Sequence, residues 1–205
     1  MRRLDVGEAI QALRSAQVVV VPTDTVYGVA ARLADADAVA RLFAVKRRPQ
    51  HVALPVLVGS LAQVAELGVD WSDDAQRLAE RFWPGALTIV VDAPASVAAR
   101  VGARSTLGLR LARQPQLSSI IAQCGPLAVT SANEHGRRPC VSVEDVEGTT
   151  WGAPVAGVLD AGVCDGEVST VVELASDGWH LRREGAVRRE DLEAVLGPEA
   201  AAGDQ

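Results

Sequence analysis

Positively charged and hydroxyl side chains recur in this sequence where short apolar runs end or are interrupted. The stretches concerned are PTDTVYG at 22–28, KRRP at 46–49, STLGLR at 105–110, TSAN at 130–133, and STVVEL with LRREG within 169–185. Guanidinium and ammonium groups bind phosphates and carboxylates, and hydroxyl and amide groups add neutral hydrogen bonds. The combination predicts a binding site for a nucleotide together with a small carboxylate.

Each stretch also has an ordinary structural explanation. Pro-Thr-Asp-Thr is a reasonable turn, a basic triplet complements the dipole at a helix C-terminus, and Ser-Thr within a strand reflects β propensity. Taken together they favour a site, because ligands of open α/β sheets collect beyond strand ends among a few convergent polar groups. The candidate cations of this site are Lys46, which is the only lysine in the chain, Arg48, Arg110 and Arg183.

Several common nucleotide-binding and catalytic motifs are missing from the sequence. The chain has no GxxxxGK[ST] phosphate loop, no GxGxxG after a predicted strand and no GxSxG elbow. His51, His135 and His180 do not have the spacing of metal ligands, so we predict no metal site.

Length, composition and charge bound the class of protein. The 205 residues are 48% hydrophobic, which predicts one domain over 1–197 followed by a disordered tail at 198–205. The net charge of −6 argues against an extended nucleic-acid surface but permits a local basic pocket.

The predicted location is the cytoplasm, without a membrane anchor. No apolar run approaches the roughly 18 residues of a membrane span, and the N-terminus has no apolar signal region before Asp5 and Glu8. Cys124, Cys140 and Cys164 are odd in number and widely spaced, which predicts three reduced thiols.

Hydrophobic periodicity and capping residues predict an α/β fold. Helices are predicted at 5–16, 36–46, 60–67, 72–83, 116–123 and 189–196. Strands are predicted at 18–21, 54–58, 86–91, 107–112, 126–130, 155–159, 168–174 and 179–183. Several of these strands are apolar throughout, which indicates a sheet covered by helices, and the order of its strands does not follow from the sequence.

The ordered motifs PTDTVYG, KxRP, PGALT, SAN, STVV and LRREG resemble those of the YrdC-type threonylcarbamoyl-AMP synthases, the TsaC-like enzymes, in their short single-domain form. The resemblance implies a YrdC-like twisted, open mixed sheet flanked by helices, with a deep, positively lined groove. It implies a nucleotidyltransferase that uses L-threonine, bicarbonate and ATP with Mg²⁺ to form L-threonylcarbamoyl-AMP and pyrophosphate for t6A modification of tRNA. A downstream tRNA threonylcarbamoyl transferase complex is the implied partner, and direct tRNA binding stays open.

The resemblance also implies roles for individual residues. Lys46 and Arg48 would act on the phosphates as catalytic residues. Residues implied to hold threonine are Thr25, Arg110 and Ser169. Residues implied to contact ATP are Arg48, Val52, Thr106, Ser131, Asn133 and Arg183. Val52 stands where the family often has a small polar residue, so only its backbone is the implied contact.

Two other functions compete with the synthase hypothesis. One is an RNA-binding or regulatory module of the same fold, which the acidic total charge and the 3% aromatic content disfavour. The other is a carbamoyl-transfer enzyme of the hydrogenase-maturation type, whose cysteine-rich zinc modules are not found in this sequence. The roles of Asp24, Tyr27, Glu134 and His135, and the choice between serine and threonine, stay open.

Overall fold

The computed structural model describes residues 1–134 and 136–200, and within them ten strands form one open, mixed sheet. The strands are β1 Arg3–Leu4, β2 Val19–Val21, β3 Gly28–Arg32, β4 Val56–Leu57, β5 Leu87–Asp92, β6 Thr106–Arg110, β7 Leu127–Ser131, β8 Val158–Leu159, β9 Thr170–Ala175 and β10 Gly178–Arg183. Their order across the sheet is β1-β8-β2-β3-β7-β4-β6-β5-β9-β10. Strand pairs β1/β8, β2/β8, β4/β6 and β5/β9 are parallel, and the other neighbours are antiparallel.

Eight α-helices flank this sheet in the part of the chain that is described. They are α1 Val6–Arg14, α2 Ala36–Lys46, α3 Leu61–Glu66, α4 Asp73–Phe82, α5 Ala95–Ala98, α6 Pro115–Cys124, α7 Val143–Glu147 and α8 Arg189–Leu196. The predicted capping box is present, because the Asp5 side chain accepts from Glu8 N at 2.8 Å and the Glu8 carboxylate accepts from Asp5 N. Ser60 and Ser72 cap α3 and α4 as expected.

The valine run at 18–21 is buried because helices and loops cover both faces of the sheet. Val18 and Val20 belong to the larger core cluster, which includes residues of α2 and α4. Val19 and Val21 belong to a second cluster, in which α1 and α6 lie against the opposite face. Side chains of a strand alternate between faces, so a strand buried on both sides is apolar at every position.

Strand β3 was not predicted, and its composition explains why. Its sequence GVAAR has only one β-branched residue, whereas strand prediction depends on β-branched and aromatic residues. Small residues are required here because β3 lies close to β7: a Cβ on Gly28 would be 2.7 Å from Val129 Cγ1. The short elements β1, α5 and α7 were also missed, and each has five residues or fewer.

Residues 199 and 200, which belong to the segment predicted to be a disordered tail, make contacts with β10 and α8. The Glu199 carboxylate accepts from Leu181 N at 2.6 Å and pairs with Arg189, and Ala200 N donates to Trp179 O at 3.2 Å. Residues 198–200 therefore contact β10, and residues 201–205 lie outside the described residues. None of the helices described is long and apolar enough to cross a membrane.

Gly185 allows the loop after β10 to lie directly against the start of β9. A Cβ at this position would be 2.2 Å from Val168 O and 2.9 Å from the Ser169 carbonyl carbon. The same loop is held by Thr170, whose buried Oγ1 donates to Val187 O at 2.6 Å and accepts from the backbone N of Gly185 and of Val187. The LRREG and STVV motifs therefore form one structural unit.

We expect Gly185→Ala to lower the free energy of unfolding by about 1–3 kcal/mol, because the added methyl group overlaps the β9 backbone. Gly148→Ala is the matched control, since the nearest atom to its Cβ would be 3.5 Å away, and its change should stay within about 0.5 kcal/mol. Equilibrium urea unfolding measures both values. Equal effects of the two substitutions would contradict the close approach.

Candidate functional site

A cavity of about 330 Å³ lies on one face of the sheet, beneath the loop that connects β2 to β3. Seven of the ten residues predicted for the site line it: Thr25, Arg48, Arg110, Ser131, Asn133, Ser169 and Arg183. Three guanidinium groups and no carboxylate are among the described lining residues. The cavity is therefore positively charged, and it suits an anionic ligand.

Strand register brings these residues onto one face. Arg110 lies opposite Leu57, and Leu57 lies opposite Leu127, so Arg110 shares its face with Ser131, four positions beyond Leu127. Arg183 lies opposite Val171, two positions beyond Ser169. Because side chains repeat their direction every second residue, these groups converge over the sheet face rather than beyond the strand ends, where we had expected them.

Arg110 is the most buried cation of the cavity, with 6% of its surface exposed. Its Nε donates to Gly85 O at 2.9 Å, its Nη1 to Thr25 Oγ1 at 3.1 Å, and its Nη2 to Asp24 Oδ1 at 2.6 Å. Burial lowers the pKa of Arg110, and the Asp24 carboxylate opposes that shift. The guanidinium is thus held in one orientation by three acceptors.

The hydroxyl of Thr23 organises the loop above the cavity. Its Oγ1 donates to Val26 O at 2.7 Å and accepts from the backbone N of Thr25 and of Val26, each at 3.1 Å. It also lies 2.9 Å from Thr25 Oγ1. Thr23 and Thr25 are both buried, so the cluster of hydroxyls in PTDTVYG forms a rigid wall of the cavity.

Arg183 and Ser169 form a second pair of a guanidinium and a hydroxyl. Arg183 donates from Nη2 to Ser169 Oγ at 3.1 Å and to Ser169 O at 2.8 Å, and from Nε to Ser169 O at 3.0 Å. Thr88 Oγ1 lies 3.1 Å from Ser169 Oγ on the other side. Burial lowers the pKa of Arg183, and this guanidinium and that of Arg110 repel each other. An anion bound between them would relieve that repulsion.

Arg48 lines the cavity, and the loop that follows it accepts hydrogen bonds from its guanidinium. Its Nε donates to Val52 O and its Nη2 to Ala53 O, both at 2.8 Å. Val52 does not line the cavity and is 37% exposed, so its role as an ATP contact is a prediction that the cavity lining does not support. Burial lowers the pKa of Arg48, which indicates a cation that has lost hydration.

Ser131, the last residue of β7, and Asn133, two residues later, form the next part of the cavity wall. The Asn133 side-chain amide donates to Glu134 O and to Arg137 O, each at 2.8 Å. Its Oδ1 is buried without a hydrogen-bond donor among the described residues. Thr106 lies two and four positions before Gly108 and Arg110, and therefore on the same sheet face, but it does not line the cavity.

Lys46 lies at the C-terminus of α2 and lines an adjoining cavity of about 420 Å³ that shares Asn133 with the first. Its Nζ donates to Asn133 O. Burial lowers the pKa of Lys46 to about 8, assisted by the charge of Arg48. Lys46 is therefore a neighbour of the main cavity and not part of its described lining.

Four functional neighbours were missed or left without a role. Asp24 pairs with Arg110, and Thr88 contacts Ser169. Tyr27 is fully buried, and its hydroxyl donates to Gly162 O at 2.8 Å and accepts from Ala161 N at 3.2 Å, which ties the 160–166 loop to the cavity wall. Thr23 is the fourth. All four belong to PTDTVYG or PGALT, so the motifs as a whole indicated these positions, although the individual residue types did not.

An open α/β sheet with buried guanidinium and hydroxyl groups over one face is typical of a protein that binds a small anionic ligand, such as a nucleotide or a carboxylate. Among residues 1–134 and 136–200, no three His, Cys, Asp or Glu side chains are grouped so as to hold a metal ion. The chain belongs to the Sua5/YciO/YrdC family: the family's model, described as telomere recombination, matches residues 11–185.

Individual relatives agree with this membership. A protein of Mycobacterium tuberculosis (strain H37Rv) is 38% identical over 202 residues, which cover 98% of this chain and 93% of the relative. The Bacillus subtilis (strain 168) threonylcarbamoyl-AMP synthase is 35% identical over 197 residues, or 94% of this chain and 57% of that protein. The crystal structure of Pyrococcus abyssi Sua5 complexed with L-threonine matches with a TM-score of 0.86 at 30% identity, over 97% of this chain and 60% of that one.

The lowered pKa of Lys46 predicts unusual reactivity for the only lysine of the chain. The amine loses its proton as the pH rises through about 8 instead of 10.5, so labelling by an amine-selective reagent should be half-maximal near pH 8. Peptide mass spectrometry quantifies the reaction at Lys46. A half-maximal pH close to that of a free lysine in the same experiment would contradict the buried environment.

Proposed function

We propose that this chain is an L-threonylcarbamoyl-AMP synthase, a nucleotidyltransferase that makes L-threonylcarbamoyl-AMP and pyrophosphate from L-threonine, bicarbonate and ATP. The observation that carries the proposal is the pairing of Arg110 with Thr25 and of Arg183 with Ser169 in one positively charged cavity. Family membership and the relatives named threonylcarbamoyl-AMP synthase support the same reaction. The resemblance of the short motifs supports the assignment of threonine and ATP to these groups.

Threonine would bind where Arg110, Thr25 and Ser169 meet. A guanidinium has five N–H groups, and Arg110 uses three of them within the protein, so one N–H on each terminal nitrogen is available to a carboxylate. The two hydroxyls add hydrogen bonds to the amino acid. A carboxylate at this position would also supply the anion that the two neighbouring guanidiniums require.

ATP would extend from this cavity toward α2. Arg48 and Arg183 are the lining cations for its phosphates, and Ser131 and Asn133 offer neutral hydrogen bonds along the wall. Lys46 reaches the phosphates from the adjoining cavity, which shares Asn133. Mg²⁺ enters with ATP as part of the substrate, coordinated mainly by the phosphates. Thr106 and Val52 line neither cavity, and their contact with ATP stays a prediction.

The reaction then needs alignment and charge stabilisation more than an activated protein nucleophile. The threonine amine takes up bicarbonate-derived carbon dioxide to give a carbamate, with loss of a proton. A carbamate oxygen attacks the α-phosphorus, the bond to the bridging oxygen breaks, and pyrophosphate leaves with that electron pair. Guanidinium groups that are already desolvated and fixed by acceptors stabilise the added negative charge without reorganising.

The partners and location follow from the same proposal. The product is a reactive mixed anhydride, so a tRNA threonylcarbamoyl transferase complex that consumes it is the expected partner. The predicted cytoplasmic location is consistent with that partner. An RNA-binding module without synthase activity is the alternative, and the product assay below separates the two functions.

The purified protein should form threonylcarbamoyl-AMP when it is incubated with ATP, Mg²⁺, bicarbonate and L-threonine. Mass spectrometry detects the product, and mixtures that lack bicarbonate or contain L-serine in place of threonine are the controls. Product only in the complete mixture supports the proposal. RNA binding without product would favour the module instead.

Replacing Lys46 or Arg48 with Ala should reduce turnover about 100-fold or more, because each removes a cation from the developing phosphate charge. Arg41→Ala is the matched control: Arg41 lies on α2 as well, but its guanidinium contacts Ala16 O on the surface. The control should stay within about twofold of the wild type. Near-normal turnover in both Lys46→Ala and Arg48→Ala would contradict their assignment to the phosphates.

ATP should also protect Lys46 from amine labelling at pH 8, whereas AMP should protect it much less. The β- and γ-phosphates stabilise the protonated amine and so raise its pKa, and AMP lacks both of them. The labelling rate at Lys46, measured beside that of the N-terminal amine, reports the difference. Equal protection by ATP and AMP would remove Lys46 from the phosphate site.

A further inference from the structure

Asp24 forms a largely buried ion pair with Arg110 that its position in a turn does not require. Its side chain is 12% exposed and lies 2.6 Å from Arg110 Nη2, a contact between residues 86 positions apart. Asp24 does not line the cavity, whereas Arg110 and Thr25 do. A turn alone would be satisfied by local hydrogen bonds, such as those that Thr23 makes with the backbone of the loop.

We propose that Asp24 is a positioning residue that selects the amino-acid substrate through Arg110, by holding the guanidinium and the Thr25 hydroxyl as donors for the substrate carboxylate. The inference rests on the proposed function. It assigns Asp24 no contact with the substrate.

Arg110 depends on Asp24 for its charge and its orientation. A guanidinium that is 6% exposed has lost most of its hydration, and Asp24 is the carboxylate paired with it. Gly85 O fixes the Nε edge of the planar group and Asp24 fixes Nη2. Once these two acceptors define the plane, the remaining N–H groups have defined directions.

The Thr25 hydroxyl lies between Arg110 and Thr23. Thr23 Oγ1 donates its hydrogen to Val26 O and lies 2.9 Å from Thr25 Oγ1, so the Thr25 hydrogen points to Thr23. Thr25 Oγ1 accepts from Arg110 Nη1. A ligand carboxylate in the cavity would compete with Thr23 Oγ1 for the Thr25 hydrogen.

The two available N–H groups of Arg110 and the hydroxyl of Thr25, which can turn from Thr23 to a ligand, make a site composed of donors. Such a site binds a carboxylate more strongly than a neutral acceptor and disfavours a cationic group in the same place. Without the Asp24 charge, the guanidinium would lose its main restraint on Nη2, and the orientation of the Thr25 hydroxyl would change with it. We therefore expect Asp24 to affect threonine and not ATP.

Asp24→Asn tests this role because it keeps the size of the side chain and an acceptor oxygen while it removes the charge. The Kd for L-threonine, measured by calorimetry, and the KM for threonine should rise about tenfold, the loss expected for one charge-assisted hydrogen bond. The KM for ATP should change by less than about twofold. Asp24→Glu, which keeps the charge, should bind threonine more tightly than Asp24→Asn.

Asp74→Asn is the matched control. Asp74 pairs with Arg77 on the exposed surface of α4, so the substitution removes the charge of an ion pair away from the cavity. Threonine binding and turnover should equal those of the wild type. The melting temperature of every variant is measured beside binding, and Asp24→Glu carries the test if Asp24→Asn does not fold.

The outcomes separate this inference from the proposed function. If the wild type does not bind L-threonine or form product, the proposed function fails. If the wild type binds threonine and Asp24→Asn binds it within twofold, the positioning role is wrong and the function stands. Equal losses for threonine and ATP, or equal affinities of Asp24→Asn and Asp24→Glu for threonine, would show a general structural role and also overturn the inference.

Discussion

The buried guanidinium of Arg110 is the group on which the rest of the site depends. A cation this deeply buried is stable only if acceptors and negative charge replace its hydration, and the fold supplies Gly85 O, Thr25 Oγ1 and the Asp24 carboxylate. Gly85 belongs to the PGALT motif, and Thr25 and Asp24 belong to PTDTVYG. The requirement to solvate one side chain therefore connects the loop after β2, the turn before β5 and the end of β6.

Close backbone contacts make that arrangement possible. Gly28 lets β3 approach β7, and Gly185 lets the loop after β10 lie against the start of β9, where Arg183 reaches Ser169. A larger residue at position 28 would push β3 away from β7, and one at position 185 would displace the loop after Arg183 from the segment that contains Ser169. The hydrogen bonds between the guanidinium and hydroxyl groups depend on these close backbone contacts, because hydrogen bonds of about 3 Å tolerate little displacement.

Much of the local structure could be predicted from the sequence. The helices that begin at Asp5, Ser60 and Ser72 follow from local capping, and most strands follow from runs of β-branched residues. Strand β3 could not be predicted in this way, since its small residues are required by contacts with β7, which is distant in sequence. The position of Glu199 could not be predicted either, because its carboxylate contacts Leu181 of β10, which is distant in sequence.

The sequence by itself determined which residue types the site contains: its cations, its hydroxyls and the family motifs that include them. The tertiary structure alone decided that the site lies on a sheet face, that Lys46 sits in an adjoining cavity, and that Asp24 pairs with Arg110. Capping and periodicity act over a few residues, so they can be read from neighbours in sequence. Strand order and register join distant segments, and a shift of one residue would turn Arg110 to the other face, so only the assembled sheet fixes which side chains meet.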